Sequence, residues 1–289
     1  MSKVFHSINL AQYTFVVTGG AGFIGSHLAE YLVLNGAKKV IVLDDLSNGA
    51  TSNLRSVEKH ANFEFIKGTI CNRETCEKVF IHTDYVLHQA ALCSVPRSID
   101  NPAATHDVNV TGFLNVLLAA RATGVKRIVY ASSSSVYGNS KTMPKIETDP
   151  PAPLSPYAVS KLSNELYASV FVRNFGMSIA GLRYFNIFGP RQSPNGPYAA
   201  AIPLFVTALL EGKAPFIYGD GSQTRDFTYI ENVVQANIKA LFADVRVNGQ
   251  VFNIATEGRT SVNELFYILA DLSAGQAGLA GSNIKPIYN

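Results

Sequence analysis

Tyr157 and Lys161 stand four residues apart in the segment YAVSK, and four residues is just over one helical turn. The surrounding apolar periodicity predicts a helix over 157–175, which puts both side chains on one face. An ammonium beside a phenol favours the phenolate and draws its pKa down from about 10, toward a group that takes and returns protons near neutral pH. A second polar cluster, SSSSVYG at 132–138, follows the apolar run 127–131. Ligands of open α/β sheets bind outside the carboxyl ends of the strands, so hydroxyls placed there could donate to and accept from a substrate oxygen.

The third constellation is Gly19, Gly22 and Gly25, spaced G-x-x-G-x-x-G between the run TFVVT and the periodic stretch SHLAEYLVLNG. Glycine at these points permits a tight turn, backbone approach to a pyrophosphate and close packing of the following helix, whose N-terminus carries positive potential. Asp44 ends the next apolar run 19 residues after Gly25, where a carboxylate can accept from an adenosine ribose. Its charge repels a 2′-phosphate and favours NAD over NADP. Asp45, Leu46, Ser47, Asn48 and Gly49 (DLSNG) then read as the loop around the adenosine.

The elements that must hold these residues are legible as an alternation. Strands are predicted at 14–18, 39–43, 63–66, 85–87, 127–131 and 179–183, with helices over SHLAEYLVLNG, ending at Gly36, and near 74–80, 104–122 and 157–175. Such a βαβ array makes an α/β fold, a Rossmann-type doubly wound parallel sheet. After Asn186 the pattern breaks into FGPRQSPNGPYAAAIP and short mixed elements. The expected organisation is a Rossmann domain over 1–183 and a smaller C-terminal substrate-binding region over 184–289.

Composition narrows the class. In 289 residues, 47% are hydrophobic and 16% charged, with a mean hydropathy of +0.12, which excludes a disordered chain. The net charge is +3, from 24 Lys and Arg against 21 Asp and Glu, and no basic stripe argues for nucleic acid as a partner. No apolar run approaches the roughly 20 residues that span a bilayer, and the N-terminus has no signal-peptide pattern, so no membrane partner and a cytoplasmic location are expected. Cys71, Cys76 and Cys93 form no C-x-x-C pair and read as reduced, mostly structural thiols; no His pair has metal-ligand spacing, so no metal is expected.

TGGAGFIG, DDLSNG, HQAA, NVTG, SSSSVYG, YAVSK and LRYFNIFGPRQ occur in this order. The chain thereby resembles the extended short-chain dehydrogenases/reductases of the nucleotide-sugar epimerase/dehydratase group, from Phe15 to about Tyr288, and within it the UDP-N-acetylglucosamine 4-epimerases. The resemblance implies an isomerase in which Tyr157 takes the sugar 4-hydroxyl proton, Lys161 holds the ribose and tunes Tyr157, and Ser133, or Ser134 beside it, bonds the reacting oxygen. Hydride would pass from C4 to NAD and return to the opposite face of a rotated 4-keto sugar. Phe23 and Ile24 would contact the cofactor through the glycine loop, Gln89, Ala90 and Ala91 would line it, Asn109 matches a structural Asn, and Tyr184 and Phe185 fall near the nicotinamide. Asn186, Gln192, Ala200, Ala201, Phe216, Tyr218 and Arg225 would hold the UDP-sugar. A homodimer through the helices near 104–122 and 157–175 is also implied.

The sequence departs from the group in three places. Thr69 and Ile70 follow Gly68 where the group carries an Asp that contacts adenine, which predicts weaker NAD affinity. Cys93 replaces a small residue beside the cofactor. The group's chains continue past the point where this one stops, with an Arg-Gly-Asp-like segment and a residue that gates bulk at C2, which leaves Arg225 as the expected diphosphate clamp. An N-acetyl preference is then carried by SVPRSI at 94–99 and Gln192 alone. UDP-glucose and UDP-glucuronate 4-epimerases and an idle NAD-binding protein remain open. Dehydratases and decarboxylases need a carboxylate beside the catalytic hydroxyl, and Ser134 and Ser135 supply none.

Overall fold

The computed structural model describes residues 4–140, 142–194, 200–274 and 284–289. Two compact units are present: 1–185 with 230–254, and 186–229 with 255–289.

The first unit is built on runs of β-branched and aromatic residues, buried on both faces as a parallel sheet requires. Its strands are β1 (Thr14–Thr18), β2 (Lys39–Asp44), β3 (Phe63–Lys67), β4 (Tyr85–His88), β5 (Arg127–Ser133) and β6 (Ile179–Tyr184). After the second unit's short strands β7 (Ile187–Phe188), β8 (Phe216–Ile217), β9 (Thr224–Arg225) and β10 (Thr228–Tyr229), the chain returns as β11 (Val251–Ile254). Among the described residues these form a seven-stranded parallel sheet in the order β11-β6-β5-β4-β1-β2-β3. The order reverses between β1 and β4, and that reversal opens the crevice where doubly wound sheets take ligands. The register Thr18↔His88 and Ser133↔Tyr184 brings the chemistry-bearing strand ends to that edge.

A single boundary after residue 183 is not what the chain adopts. Residues 230–254 rejoin the first unit because β11 pairs with β6, and helix α8 (Ile230–Leu241) belongs to the same return. Short apolar runs late in the sequence carry too little periodicity to reveal such a return.

The helices α1 (Phe23–Leu34), α2 (Arg73–Phe80), α3 (Val95–Asp100), α4 (Pro102–His106), α5 (Gly112–Thr123) and α6 (Pro156–Phe175) flank the sheet. Ser155 caps α6, its Oγ accepting from the Ala158 N–H at 3.2 Å, Pro156 follows at the first turn, and Gly176 ends the helix at φ +65°. The stretch expected as one helix near 104–122 is broken by a π-helical turn over Asp107–Thr111. Its extra residue per turn seats the buried Asn109. The core joins Val16, Ile41, Val86 and Ile128 from the sheet to Phe80, Phe113, Val116 and Phe171 from the helices, each burial contributing roughly 1.5–3 kcal/mol.

The second unit pairs β10 with β7 and β8 with β13 (Ile287–Tyr288) in parallel, and β9 with β12 (Thr260–Ser261) antiparallel. Helices α7 (Ala201–Leu210) and α9 (Val262–Ala274) share a separate core of Phe205, Leu209, Ile217, Leu265, Phe266 and Ala270. Most of the weakly patterned segment AGQAGLAGSNIK lies outside the described residues. No described helix is long and apolar enough to cross a membrane.

Candidate active site

The glycine turn is shaped by lack of room. Gly19 holds φ +67°, and a Cβ there would stand 2.6 Å from the Ala90 nitrogen; one on Gly25 would overlap the Gly19 carbonyl oxygen. Gly22 opens α1 with no side-chain cap, which leaves the first helical N–H groups to a ligand. Phe23 and Ile24 follow in that first turn, both half-buried.

Asp44 accepts from the Ala21 N–H at 2.9 Å and from the Leu46 N–H at 2.8 Å, one bond on each carboxylate oxygen. Burial raises its pKa, opposed by those two hydrogen bonds and aided by the Asp45 charge. Each oxygen keeps a lone pair for ribose hydroxyls. The 45–49 loop lies against the turn: a Cβ on Gly49 would meet Ala21 at 2.9 Å, and the Asn53 amide donates to the Ala21 carbonyl at 2.9 Å. Arg97 of α3 donates to the Asn48 side chain at 2.7 Å, so SVPRSI reaches this loop. A cradle that a Cβ would fill, uncapped N–H groups and a half-satisfied carboxylate fit NAD.

Thr69 Oγ accepts from the Cys71 N–H at 3.2 Å, and the Ile70 side chain is buried in the core cluster. Of the two residues that stand where the group contacts adenine, Ile70 therefore has only its backbone to offer the cofactor. Gln89, Tyr184 and Asn237 form a closed ring: the Tyr184 hydroxyl donates to Gln89 Oε1 (3.1 Å), the Asn237 amide donates to the Tyr184 oxygen (2.8 Å), and the Gln89 amide donates to Asn237 Oδ1 (3.2 Å). Ala90 and Ala91 are half-buried beside it, and the Phe185 ring lies 6.2 Å from Tyr137. Asn109 is structural, accepting from the Leu92 N–H at 2.8 Å and donating to Ser160 at 3.0 Å. It holds the 89–93 loop against α6.

Lys161 is 2% exposed, and its Nζ donates to the Ala131 carbonyl at 2.8 Å while standing 6.0 Å from the centre of the Tyr157 ring. The Ser133 hydroxyl stands near enough to the Tyr157 phenol to draw its pKa down; Ser134 is half-buried beside it. The expected lowering of the Tyr157 pKa by Lys161 is not what the chain alone produces. Burial raises it, the neighbouring Cys93 raises it further, and Ser133 only partly offsets them. Burial likewise lowers the Lys161 pKa, and the Cys93 charge offsets this only in part.

Sequence reasoning placed Cys93 beside the cofactor but missed its approach to Tyr157, and it missed Glu165 and Arg183 altogether. Cys93 is exposed, as is Cys71, and only Cys76 is a buried structural thiol; Cys93 also touches the Tyr157 phenol. Glu165 and Arg183 form a buried ion pair at 2.7 Å, with the Ser132 hydroxyl donating to Glu165. The signal for Glu165 was present as Y-x-x-x-K-x-x-x-E, one further helical turn along the same face.

In the second unit, Asn186 holds φ +38° and donates to the Asp226 carbonyl at 2.9 Å. The Gln192 amide donates to the Ile187 carbonyl at 3.0 Å, and its buried Oε1 has no partner among the described residues. Ala200 and Ala201 stand at the start of α7, Phe216 and Tyr218 are exposed, and Arg225 is exposed with one Nη donating to the Thr224 carbonyl at 2.9 Å.

Residues 15–255 match the model of the NAD dependent epimerase/dehydratase family. A putative UDP-glucose 4-epimerase of Methanocaldococcus jannaschii is 41% identical over 256 residues, 88% of this chain and 80% of the relative. The solved UDP-N-acetylglucosamine 4-epimerase from Methanobrevibacter ruminantium, in complex with UDP-N-acetylmuramic acid, superposes with a TM-score of 0.89 at 40% identity, covering 96% of this chain and 85% of that one. The UDP-glucose 4-epimerase of Thermus thermophilus, solved with NAD, gives 0.84 at 34% identity, covering 96% and 85%.

Proposed function

This chain belongs to the NAD dependent epimerase/dehydratase family, and on that premise we propose that it is a UDP-sugar 4-epimerase acting on UDP-N-acetylglucosamine and UDP-N-acetylgalactosamine. The observation that carries the reading is the Ser133–Tyr157 hydroxyl pair, with Lys161 behind it and serines, not carboxylates, at 134 and 135. Such a site can move a proton at one sugar oxygen and offers no second acid to eliminate water or steer a carboxyl group.

NAD, when bound, supplies a reversible hydride acceptor and a positive charge that favours the phenolate. The residues that would hold it are the glycine turn, Asp44 with its loop, Gln89 to Ala91, Lys161, Tyr184 and Phe185. Tyr157 takes the 4-hydroxyl proton and later returns it, while Ser133 donates to the same sugar oxygen. Lys161, fixed by the Ala131 carbonyl, keeps a cation near the phenol. Asn186, Gln192, Ala200, Ala201, Phe216 and Tyr218 are assigned to the nucleotide sugar, and Arg225 to its diphosphate, which a guanidinium can clamp with two hydrogen bonds.

The N-acetyl preference rests on SVPRSI and Gln192, whose buried unpaired Oε1 could accept from an amide N–H. Proton NMR of UDP-N-acetylglucosamine with protein and NAD should show the galacto epimer's anomeric signal, and Tyr157→Phe should slow its appearance by about 100-fold or more. UDP-glucose and UDP-glucuronate run in parallel decide the substrate: faster turnover of either refutes the N-acetyl assignment. No turnover of any of the three refutes the epimerase. We also assign a homodimer, from the exposed Val159, Leu166, Tyr167 and Val170 along α6, tested by light scattering of wild type and Leu166→Glu. A cytoplasmic location fits a nucleotide-sugar substrate, and cell fractionation tests it.

A further inference from the structure

Three successive residues at the end of β5 are each tied to a different turn of α6. The Ala131 carbonyl accepts from Lys161 Nζ at 2.8 Å, the Ser132 hydroxyl donates to Glu165 Oε1 at 2.5 Å, and the Ser133 hydroxyl meets the Tyr157 phenol. Tyr157, Lys161 and Glu165 follow one another at intervals of four, a single stripe of the helix. The catalytic strand end and the catalytic helix are therefore stapled at three neighbouring points, and only two of them belong to residues with an assigned chemical role.

The third staple is the most heavily braced. Arg183 of β6 grips Glu165 with two hydrogen bonds, Nε to Oε1 at 2.9 Å and Nη2 to Oε2 at 2.7 Å, and both side chains are buried. Arg183 Nη1 donates to the Tyr137 hydroxyl at 2.7 Å, which donates onward to Asn253 Oδ1 at 2.7 Å. An interior ion pair is poor value for stability, since well-packed apolar residues often do as well. What it does supply is direction: a carboxylate held by a bidentate guanidinium cannot rotate, and the serine that donates to it is held with it.

We propose that Glu165 and Arg183 are positioning residues for the Ser133–Tyr157 pair, acting through Ser132. Ser133 follows Ser132 by one peptide unit, so a turn of the Ser132 backbone is passed to the hydroxyl that meets the phenol. Proton transfer tolerates little such displacement, and about 1 Å can cost on the order of 100-fold in rate. The proposal depends on the epimerase reading only for the name of the step it serves; the alignment of Ser133 on Tyr157 is a property of the chain.

The deciding variant is Ser132→Ala, which removes one hydrogen bond and leaves the ion pair whole. Its kcat should fall roughly 10- to 100-fold with KM for the UDP-sugar and NAD retention unchanged, and Ser132→Thr, which keeps the hydroxyl, should recover most of the loss. Asn62→Ala, which cuts the bonds from the Asn62 amide to the Ala37 and Val33 carbonyls, serves as the control that lowers Tm without lowering kcat. A readout independent of turnover is the ζ-carbon NMR signal of ¹³C-labelled Tyr157, assigned with Tyr157→Phe. It should move in Ser132→Ala and stay in place in Asn62→Ala. An unmoved signal with unchanged kcat in Ser132→Ala overturns the proposal. If the wild-type protein turns over no UDP-sugar, the functional reading falls and the NMR signal still decides this one.

Discussion

In the first unit the Gly25 position has no space for a single added carbon, whereas in the second Tyr218 is 74% exposed and Arg225 rests on one hydrogen bond to its own strand. The two regions are assigned to two parts of one reaction, yet one is built from crowded backbone and the other from exposed side chains. Backbone placed by a parallel sheet is preorganised before any ligand arrives. Exposed side chains must be ordered on binding, which costs conformational entropy but permits discrimination between similar sugars. Cofactor retention should therefore tolerate changes in the second unit and fail with one methyl group in the first.

The sharpest way to break that contrast is Gly25→Ala. Overlap with the Gly19 carbonyl should destabilise the protein by about 1–3 kcal/mol and weaken NAD roughly 10- to 100-fold, read by thermal shift with and without NAD and by equilibrium dialysis. Next in size is Arg225→Gln, expected to raise KM for a UDP-sugar about 10-fold or more through lost charge-assisted hydrogen bonds. NAD retention should be unchanged, and loss of NAD in this variant would remove the division between the regions.

Smaller effects test the catalytic end. Cys93 raises the Tyr157 pKa, and in the proposed reaction the base form of Tyr157 is the working one, so Cys93→Ala should move the ascending limb of the kcat–pH profile to lower pH. A profile that stays in place shows that the thiol does not act on the phenol. A separate stability effect comes from His88, whose pKa burial lowers to about 3, with Lys161 adding. The unfolded chain binds that proton near pH 6.5 and the folded one does not, so this stabilisation is complete above pH 6.5. It is lost as pH falls toward 3, by about 1 kcal/mol per pH unit. Thermal melts from pH 7 to 5 should show a shallower decline in His88→Asn.

Strands β1 to β6 and helices α1, α2 and α6 were legible to within a few residues because their buried faces repeat with period two or 3.6. Helix α3 was not, since six residues with a Pro carry too short a pattern. Nor was the break of the 102–123 stretch, because a π turn leaves the apolar periodicity nearly intact. The glycine turn, Asp44, Tyr157 and Lys161 could be read because each sits at a fixed offset from an element boundary. Cys93 against Tyr157 and the Glu165–Arg183 pair could not, since their partners lie 64 and 18 positions away in the chain.

The sequence by itself determined six strands of the sheet, the family and which residue types stand at the strand ends, because periodicity and local spacing are written along the chain. Only the tertiary structure decided that β11 returns to the sheet, that Ile70 turns its side chain into the core, and that burial and Cys93 push the Tyr157 pKa up rather than down. Each of these depends on desolvation and on contacts between segments distant in sequence, and neither has a local signature.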